Sequence, residues 1–257
     1  MKRMSVQVHP RGEYVYSRGS RFAAHGVASR AGFGIERGRF GGYLPWKQGF
    51  AEIERHLASL DRPLAALCGI ELRMPKPLAF EEFRVLNDRY LEQLDGWSLL
   101  IDGESPFCRT NVAPTASALE ETCVAAFSYA VPCAEDRPVT FVLSGAAELP
   151  LDAPFPDGVV RRGETGADAM VEKAATVADL IGQHLASLNL TWDASADVHL
   201  YAAHDVVFAT MRDVLGSRGV TPNMGLVWHD AAPPTHEIAL EMDVRTYLAE
   251  RLIGPRG

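Results

Sequence analysis

The chain has 257 residues, of which 47% are hydrophobic, so it is long enough for one large domain or two ordinary domains with a buried core. Its formal net charge of -8 and pI of about 5.5 disfavour a nucleic-acid partner, since such partners are held by clustered Lys and Arg. No run approaches the ~20 apolar residues that span a bilayer, and we therefore expect a cytoplasmic protein, without a membrane partner, that acts on a small organic molecule.

The first half of the chain predicts short strands followed by two helices. Residues 13–17 and 21–24 are typical of strands around a turn, and the glycine-rich residues 34–42 are typical of a flexible turn. A helix is predicted from about Pro45, because apolar residues recur at spacings of four and three: Trp46, Phe50, Ile53, Leu57 and Leu60. A buried strand is predicted over residues 67–73. A second helix is marked by Phe83, Leu86, Tyr90 and Leu94.

The second half repeats this order of elements. A strand over residues 139–143 precedes a long helix from Thr165, with Ala174, Ala178, Ile181, Leu185 and Leu188 on one face. Further predictions are a strand over residues 197–202, a helix from His204 with Val207, Met211 and Val214, and strands over residues 225–228 and 236–244. The pattern predicts an α+β fold, with both helices of each half on one face of a sheet.

The boundary between the halves is predicted within residues 131–138, where two prolines and three charges interrupt two apolar runs. The predicted domains are therefore residues 1–134 and 135–257. Because both carry the same order of elements, a tandem duplication is expected.

The residues around Arg109 carry the clearest chemical signal. Residues 106–112 are followed by Glu120, Glu121 and an apolar run over residues 122–131, which predicts two adjacent antiparallel strands that bring a guanidinium beside a carboxylate. An Arg fork matches a carboxylate in two parallel hydrogen bonds, and a nearby Glu can hold a water molecule. The pattern predicts a site for a small carboxylic acid; the alternative is a structural ion pair at a sheet edge.

Metal and nucleotide sites are not expected. The four cysteines form no C-x-x-C pair or zinc-like spacing, and Cys108 should face away from Arg109, because neighbours on a strand point to opposite faces. The spacing of the histidines near Asp205 and Asp230 does not put three ligands on one face: His199, His204, His229 and His236. Glycine-rich phosphate-binding motifs do not occur, so no cofactor is expected.

Several motifs resemble the RidA family, also called YjgF or L-PSP. In the second half the resemblance lies in residues 141–145, a strand ending in Ser-Gly, and in the helices that follow, one of them centred on Phe208. In the first half it lies in residues 12–14, in residues 106–112 with the trailing Glu, and in a helix motif formed by Phe83, Asn87 and Tyr90. The resemblance covers nearly the whole chain and implies two RidA-like domains with the chorismate mutase-like fold.

The resemblance also implies roles for individual residues. Arg109 would bind the substrate carboxylate, Tyr14 would line the pocket, and Gly26 would offer backbone groups to the ligand. Glu120 or Glu121 would hold the attacking water; Glu120 follows an aliphatic residue as the family's Glu does, but alternation along the strand leaves both open.

The chain also departs from the family pattern. His25 precedes Gly26 where the family usually has Ser, and Asn111, which we place with the substrate-binding residues, stands where Cys is common. The second half keeps Gly145 and an acidic residue, Glu237 or Glu241. It has Met224 where Arg would fall, and Met cannot bind a carboxylate, so the second half is predicted to be a scaffold.

These predictions lead to a cofactor-free deaminase, a hydrolase that acts on an enamine or imine of a small unsaturated amino acid such as an aminomuconate-like intermediate. Two alternatives are a chorismate-cleaving enzyme, which needs the same carboxylate anchor, and a metabolite-binding regulator without turnover. Family members form trimers with sites at subunit clefts, so the resemblance implies a homo-oligomer, with a trimer favoured.

Overall fold

A computed structural model describes residues 5–116, 118–192, 197–203, 213–220 and 224–254. Within these ranges, 14 strands form two mixed sheets. The strands are β1 (Val6–Val8), β2 (Tyr14–Ser17), β3 (Gly26–Ser29), β4 (Phe33–Pro45), β5 (Leu67–Arg73), β6 (Cys108–Pro114), β7 (Cys123–Pro132), β8 (Phe141–Leu143), β9 (Ala146–Ala147), β10 (Asp197–Tyr201), β11 (Gly225–His229), β12 (Ala231–Ala232), β13 (Glu241–Thr246) and β14 (Ala249–Ile253).

In the part of the chain that the structure describes, the named helices are three long α-helices and one short 3-10 helix: α1 (Trp46–Ser59), α2 (Phe80–Gly96), α3 (Ala167–Ser187) and the 3-10 helix Leu64–Ala66. Helix α2 begins where the Glu82 side chain accepts a hydrogen bond from the Ala79 backbone N–H at 2.9 Å, which satisfies a group that has no partner within the helix. None of the helices in the described ranges combines the length and the apolar character needed to cross a membrane.

Both sheets combine strands from the two halves of the chain. The first sheet has the order β1-β2-β3-β8-β13-β10-β11, with β9 also paired to β13, and the second has the order β12-β6-β5-β7-β4-β14. The halves are joined where β3 pairs with β8 and where β4 pairs with β14. Mixed α+β architecture is confirmed, and strands on either side of residue 134 share the same hydrogen-bonded sheets.

Each half nevertheless has its own apolar core. One core contains the buried faces of α1 and α2 and consists almost entirely of residues between Tyr14 and Ala130, with Val142 as the exception. The other contains the buried face of α3 and consists of residues from Phe141 onward, with Ala28 as the exception. The apolar periodicity therefore predicted the buried helix faces, except that Leu60 follows α1 and is exposed.

Most predicted elements are present, but several differ in extent or pairing. The strand predicted over residues 236–244 begins only at Glu241, as β13. The strand over residues 67–73 and the three long helices are confirmed. The glycine-rich residues 34–42 are not a flexible turn; they lie in β4, a 13-residue strand that pairs with β7 on one side and β14 on the other. Pairing on both sides stabilises an extended backbone that the glycines alone would not favour.

Of three further predictions, two are wrong and one lies largely outside the described residues. Residues 21–24 form no named strand, and the chain instead enters β3 at Gly26. The predicted helix from His204, with Val207, Met211 and the Phe208 motif, lies outside the described residues, whereas residues 213–216 are helical. The predicted antiparallel pair around Arg109 is wrong, because β6 and β7 are not neighbours: β5 lies between them, parallel to β6 and antiparallel to β7.

Candidate active site

The Arg109 side chain lies in a cavity of about 410 Å³ between the two sheets and the helices α2 and α3. This volume is in the usual range for small-molecule sites. One part of its lining is polar and is formed by Asn87, Arg109, Asn111, Ser144, Gly145 and Glu241. Much of the remainder is apolar and includes Phe22, Phe83, Leu149, Phe155, Leu180 and Ile238. We call this space the Arg109 cavity.

Helix α2 and strand β6 hold the guanidinium in place. Arg109 Nη2 donates to Asn87 Oδ1 at 2.7 Å, and the Arg109 Cζ lies 4.6 Å from the centre of the Tyr90 ring and 5.9 Å from that of Phe83. Spacings of four and three put these α2 residues on one helix face. When the Asn111 amide nitrogen faces the Thr110 carbonyl, its amide oxygen accepts a hydrogen bond from Arg109 Nε at 3.2 Å.

One nitrogen of the guanidinium is buried without a hydrogen-bond partner within the described residues. This atom is Arg109 Nη1. Burial lowers the pKa of Arg109, but a guanidinium stays charged at any physiological pH. A buried, charged donor without a partner is costly, and a ligand carboxylate is the group that would satisfy it.

The Ser144–Gly145 segment connects the elements that build the site. The Ser144 hydroxyl accepts from the Arg109 backbone N–H at 3.0 Å and donates to the Ala24 carbonyl at 2.6 Å. Gly145 N–H donates to the Arg109 carbonyl at 3.1 Å. A Cβ added to Gly145 would lie 1.8 Å from Glu241 Oε1. Only glycine therefore lets the β13 carboxyl approach the Arg109 strand so closely.

Glu241 begins β13 and lines the cavity, although its side chain is only 5% exposed. Burial raises its pKa to about 8, with a further contribution from Asp243, against the opposing effect of Arg109. Asp243 acts on Glu241 because residues two apart on a strand share a face. A carboxyl group with this pKa is mostly protonated at neutral pH, so it is suited to donate a proton.

Two stacked histidines also line the Arg109 cavity. His25 and His184 have ring centroids 4.3 Å apart and planes 29° apart, and both line the Arg109 cavity. His184 lies on α3 and is buried, and burial lowers its pKa to about 3, with a smaller effect of His25. Burial also lowers the pKa of His25, so burial favours the neutral form of both rings.

The structure brings together some of the predicted site residues and not others. Arg109 and Asn111 lie in the cavity. Tyr14 is fully buried in the first core, where its hydroxyl donates to the Leu67 carbonyl at 3.1 Å, and neither Tyr14 nor Gly26 is among the cavity-lining residues.

Glu120 and Glu121 are exposed in the connection between β6 and β7, and they do not line the cavity. The predicted hairpin would have carried them back beside Arg109, but the intervening β5 prevents this. Glu241, from the half that was predicted to be scaffold, supplies the carboxyl group of the cavity instead.

Cys108 faces away from Arg109, as predicted. Its buried Sγ donates to the Val142 carbonyl at 3.1 Å, and burial raises the pKa of the thiol to about 12. Asn87 and His184 line the cavity but were not predicted as site residues. Asn87 was visible as part of the Phe83, Asn87 and Tyr90 motif, whereas His184 had no signal beyond its place on the apolar face of a helix.

The fold and the cavity define an α+β protein in which a buried arginine and a buried carboxyl group line one cavity. A crystal structure of a chorismatase has a similar fold: it matches with a TM-score of 0.51 at 12% identity, over 94% of this chain and 79% of that chain. RidA from the Antarctic bacterium Psychrobacter sp. PAMC 21119 matches at 14% identity and a TM-score of 0.33, over 42% of this chain and 80% of that chain. At 12% identity the chorismatase likeness shows a shared fold.

The chain belongs to the family described as 2-aminomuconate deaminase CnbZ, whose model matches residues 6–251. A 2-amino-5-chloromuconate deaminase from Comamonas testosteroni is 32% identical over 230 residues, which are 89% of this chain and 91% of that protein.

Proposed function

We propose that the Arg109 cavity deaminates a small unsaturated amino acid of the 2-aminomuconate type, an enamine with a free carboxylate. The predicted class, a deaminase that acts on a C–N bond, is confirmed by the family and by the deaminase from Comamonas testosteroni. The observation that carries the proposal for the site is the pairing, in one cavity, of a guanidinium with a free donor and a carboxyl group that is protonated at neutral pH.

Binding begins with the substrate carboxylate next to the amino group. Arg109 Nη1 is the free donor, and Asn87 and Asn111 fix the rest of the guanidinium so that little side-chain freedom is lost on binding. The aromatic rings around the guanidinium exclude water and strengthen the charge–charge attraction. The substrate's carbon chain would lie along the apolar part of the cavity.

The chemistry then uses Glu241 twice. Its carboxyl group gives a proton to a carbon of the enamine, and the C=C electron pair forms that C–H bond while the nitrogen lone pair forms C=N. The Glu241 carboxylate next accepts a proton from a water molecule as the water oxygen attacks the C=N carbon. In the resulting adduct the hydroxyl proton passes to the amino nitrogen, the O–H electron pair forms C=O and the C–N bond breaks. Ammonia leaves, and one water is consumed for each ammonia.

The test is to supply 2-aminomuconate, generated in situ, to the purified protein and to follow ammonia together with the loss of the diene absorbance. We expect ammonia to appear in a one-to-one ratio with the substrate consumed. A protein that is only stabilised thermally by carboxylates, without releasing ammonia above the uncatalysed rate, would instead be a binding module, and the proposal would be withdrawn.

We further propose that the chain arose by tandem duplication, with domains of residues 1–134 and 135–257. The separate apolar cores of the two halves support this, since each is built almost entirely from one side of the boundary. Arg109 comes from the first half and Glu241 from the second, so on this view the site requires both. Neither half would then be active alone.

A further inference from the structure

The His25–His184 pair has no role in the chemistry above, yet it lines the same cavity. His184 is 5% exposed, and neither of its ring nitrogens has a hydrogen-bond partner within the described residues. Leaving buried polar groups unpaired is costly, and buried polar atoms in native proteins nearly always have a partner. An unpaired imidazole on a cavity wall therefore points to a ligand that completes its hydrogen bonds.

The pair is held at a fixed position relative to Arg109. The His25 carbonyl accepts from the Ser144 N–H at 3.1 Å, and the Ser144 hydroxyl accepts from the Arg109 N–H at 3.0 Å. The same short segment therefore sets the backbone of both Arg109 and His25. Stacking of the rings, with centroids 4.3 Å apart, fixes the orientation of His184 as well.

A third unpaired group lines this cavity. The Thr235 hydroxyl is buried and has no partner within the described residues. Imidazole N–H and hydroxyl groups are both hydrogen-bond donors. The cavity thus offers donors in addition to the one on Arg109, and its volume of about 410 Å³ is ample for a six-carbon diacid.

We propose that the His25–His184 pair binds the second carboxylate of a dicarboxylic substrate, while Arg109 binds the carboxylate beside the amino group. This assignment rests on the deaminase function proposed above. The pair would then set the preference for diacids over monoacids. A neutral imidazole suits this task, because it donates one N–H to a carboxylate without holding a buried charge when the cavity is empty.

The experiment measures binding and turnover separately. Calorimetry compares a six-carbon unsaturated diacid with its monomethyl ester, on the wild type and on His184→Phe, which keeps the ring but loses both nitrogens. The wild type should prefer the diacid by roughly tenfold to a hundredfold, the value of a hydrogen bond to a charged group. His184→Phe should lose this preference and bind the ester as the wild type does. His184→Gln, which keeps a donor, should recover part of it.

Stability distinguishes this role from a structural one. His184→Phe removes two unpaired buried nitrogens, so its melting temperature without ligand should equal or exceed that of the wild type. A variant that melts lower but keeps the diacid preference would overturn the proposal. His25→Phe provides the same comparison if His184→Phe does not fold, and a wild type without any diacid preference overturns the proposal by itself.

Kinetic measurements separate the proposed diacid site from the deaminase activity on which it rests. With an enamine of the same length that lacks the second carboxylate, the wild type should show a KM roughly ten times higher or more, and His184→Phe should show no difference between the two substrates. Ammonia release without discrimination would overturn the histidine pair alone. Discrimination in binding without any ammonia release would overturn the deaminase proposal and leave the diacid site standing.

Discussion

At the scale of single residues, the environment of Glu241 decides its protonation state. Burial raises its pKa to about 8, whereas a carboxyl group in the unfolded chain titrates near 4.3. The folded protein therefore holds a proton on Glu241 throughout the neutral range, and the group can act as an acid where an exposed glutamate cannot.

The variant Glu241→Gln tests this directly. We expect activity to fall at least about a hundredfold, because the amide can neither give nor accept the proton. Wild-type kcat/KM should decline above about pH 8, as the acid form is lost. Because the folded-state pKa is raised, the proton on Glu241 stabilises the native state fully below about pH 4.3, and this stability is lost as the pH rises to about 8, since the unfolded chain ionises first. The variant should therefore be more stable than the wild type at pH 8 in urea unfolding.

The matched controls are Glu120→Gln and Glu121→Gln, which remove a charge from the exposed β6–β7 connection. Both should keep wild-type activity. If Glu120→Gln were inactive and Glu241→Gln active, the carboxyl group of the site would have to be assigned to the β6–β7 connection after all.

Arg109→Lys tests the anchor. The arginine fork bonds Asn87 and Asn111 and leaves Nη1 free for a ligand. Lysine keeps the charge but lacks this fork. We expect substrate binding to weaken by about 1.5–3 kcal/mol with the fold intact, measured as KM and as the Kd of a carboxylate inhibitor. An unchanged KM would remove Arg109 from the site.

At the scale of elements, a buried ion pair sets where β13 begins. Lys173 on α3 donates to Glu148 at 2.9 Å, and both side chains are fully buried. Glu148 also accepts from the backbone N–H groups of Ala239 and Leu240, at 2.7 and 3.1 Å. These are the two residues before Glu241, so the ion pair positions the start of the strand that carries Glu241.

Lys173→Met leaves the Glu148 charge buried and unpaired, and we expect a loss of about 3–5 kcal/mol in the free energy of unfolding. Urea denaturation measures this. The control is Arg84→Met, which breaks an exposed ion pair on α2 with Glu81 and should cost no more than about 1 kcal/mol. Similar losses in the two variants would show that the burial of Lys173 and Glu148 does not matter.

At the scale of the whole molecule, charged side chains join the two sheets. Glu71 on β5 accepts hydrogen bonds from Arg245 on β13 and from Arg37 on β4. On the neighbouring strand β6, Thr110 donates to Asp243 of β13 at 3.0 Å. Burial alone would raise the pKa of Glu71, but Arg245 and Arg37 outweigh it and hold that pKa well below its usual value.

Glu71→Gln should therefore destabilise the protein by about 3–5 kcal/mol at pH 7, since buried arginines lose their partner. A depressed folded-state pKa contributes stability that is present above about pH 4.3 and is lost as the pH falls further. The difference between wild type and variant in urea unfolding should accordingly hold from pH 7 to about 4.3 and shrink below it. A difference independent of pH would show that Glu71 acts through packing alone.

Elements with local signals could be predicted from the sequence alone. The apolar stripes of α1, α2 and α3 and the strand β5 followed from periodicity, because one helix face or one buried strand needs only its own residues to be recognised. Arg109 was identified for a similar reason, since its chemistry is carried by the side chain itself. The deaminase class followed from motifs that resemble a known family, and it is confirmed by the family to which the chain belongs.

The pairing of distant strands could not be predicted from the sequence and is known from the folded chain alone. The glycine-rich β4 is a strand because β7 and β14 flank it, and Glu120 lies away from Arg109 because β5 separates β6 from β7. The same long-range pairing placed Glu241 against Gly145 and raised its pKa through burial. Strand order and burial depend on contacts between residues far apart in the chain, and local patterns do not encode those contacts.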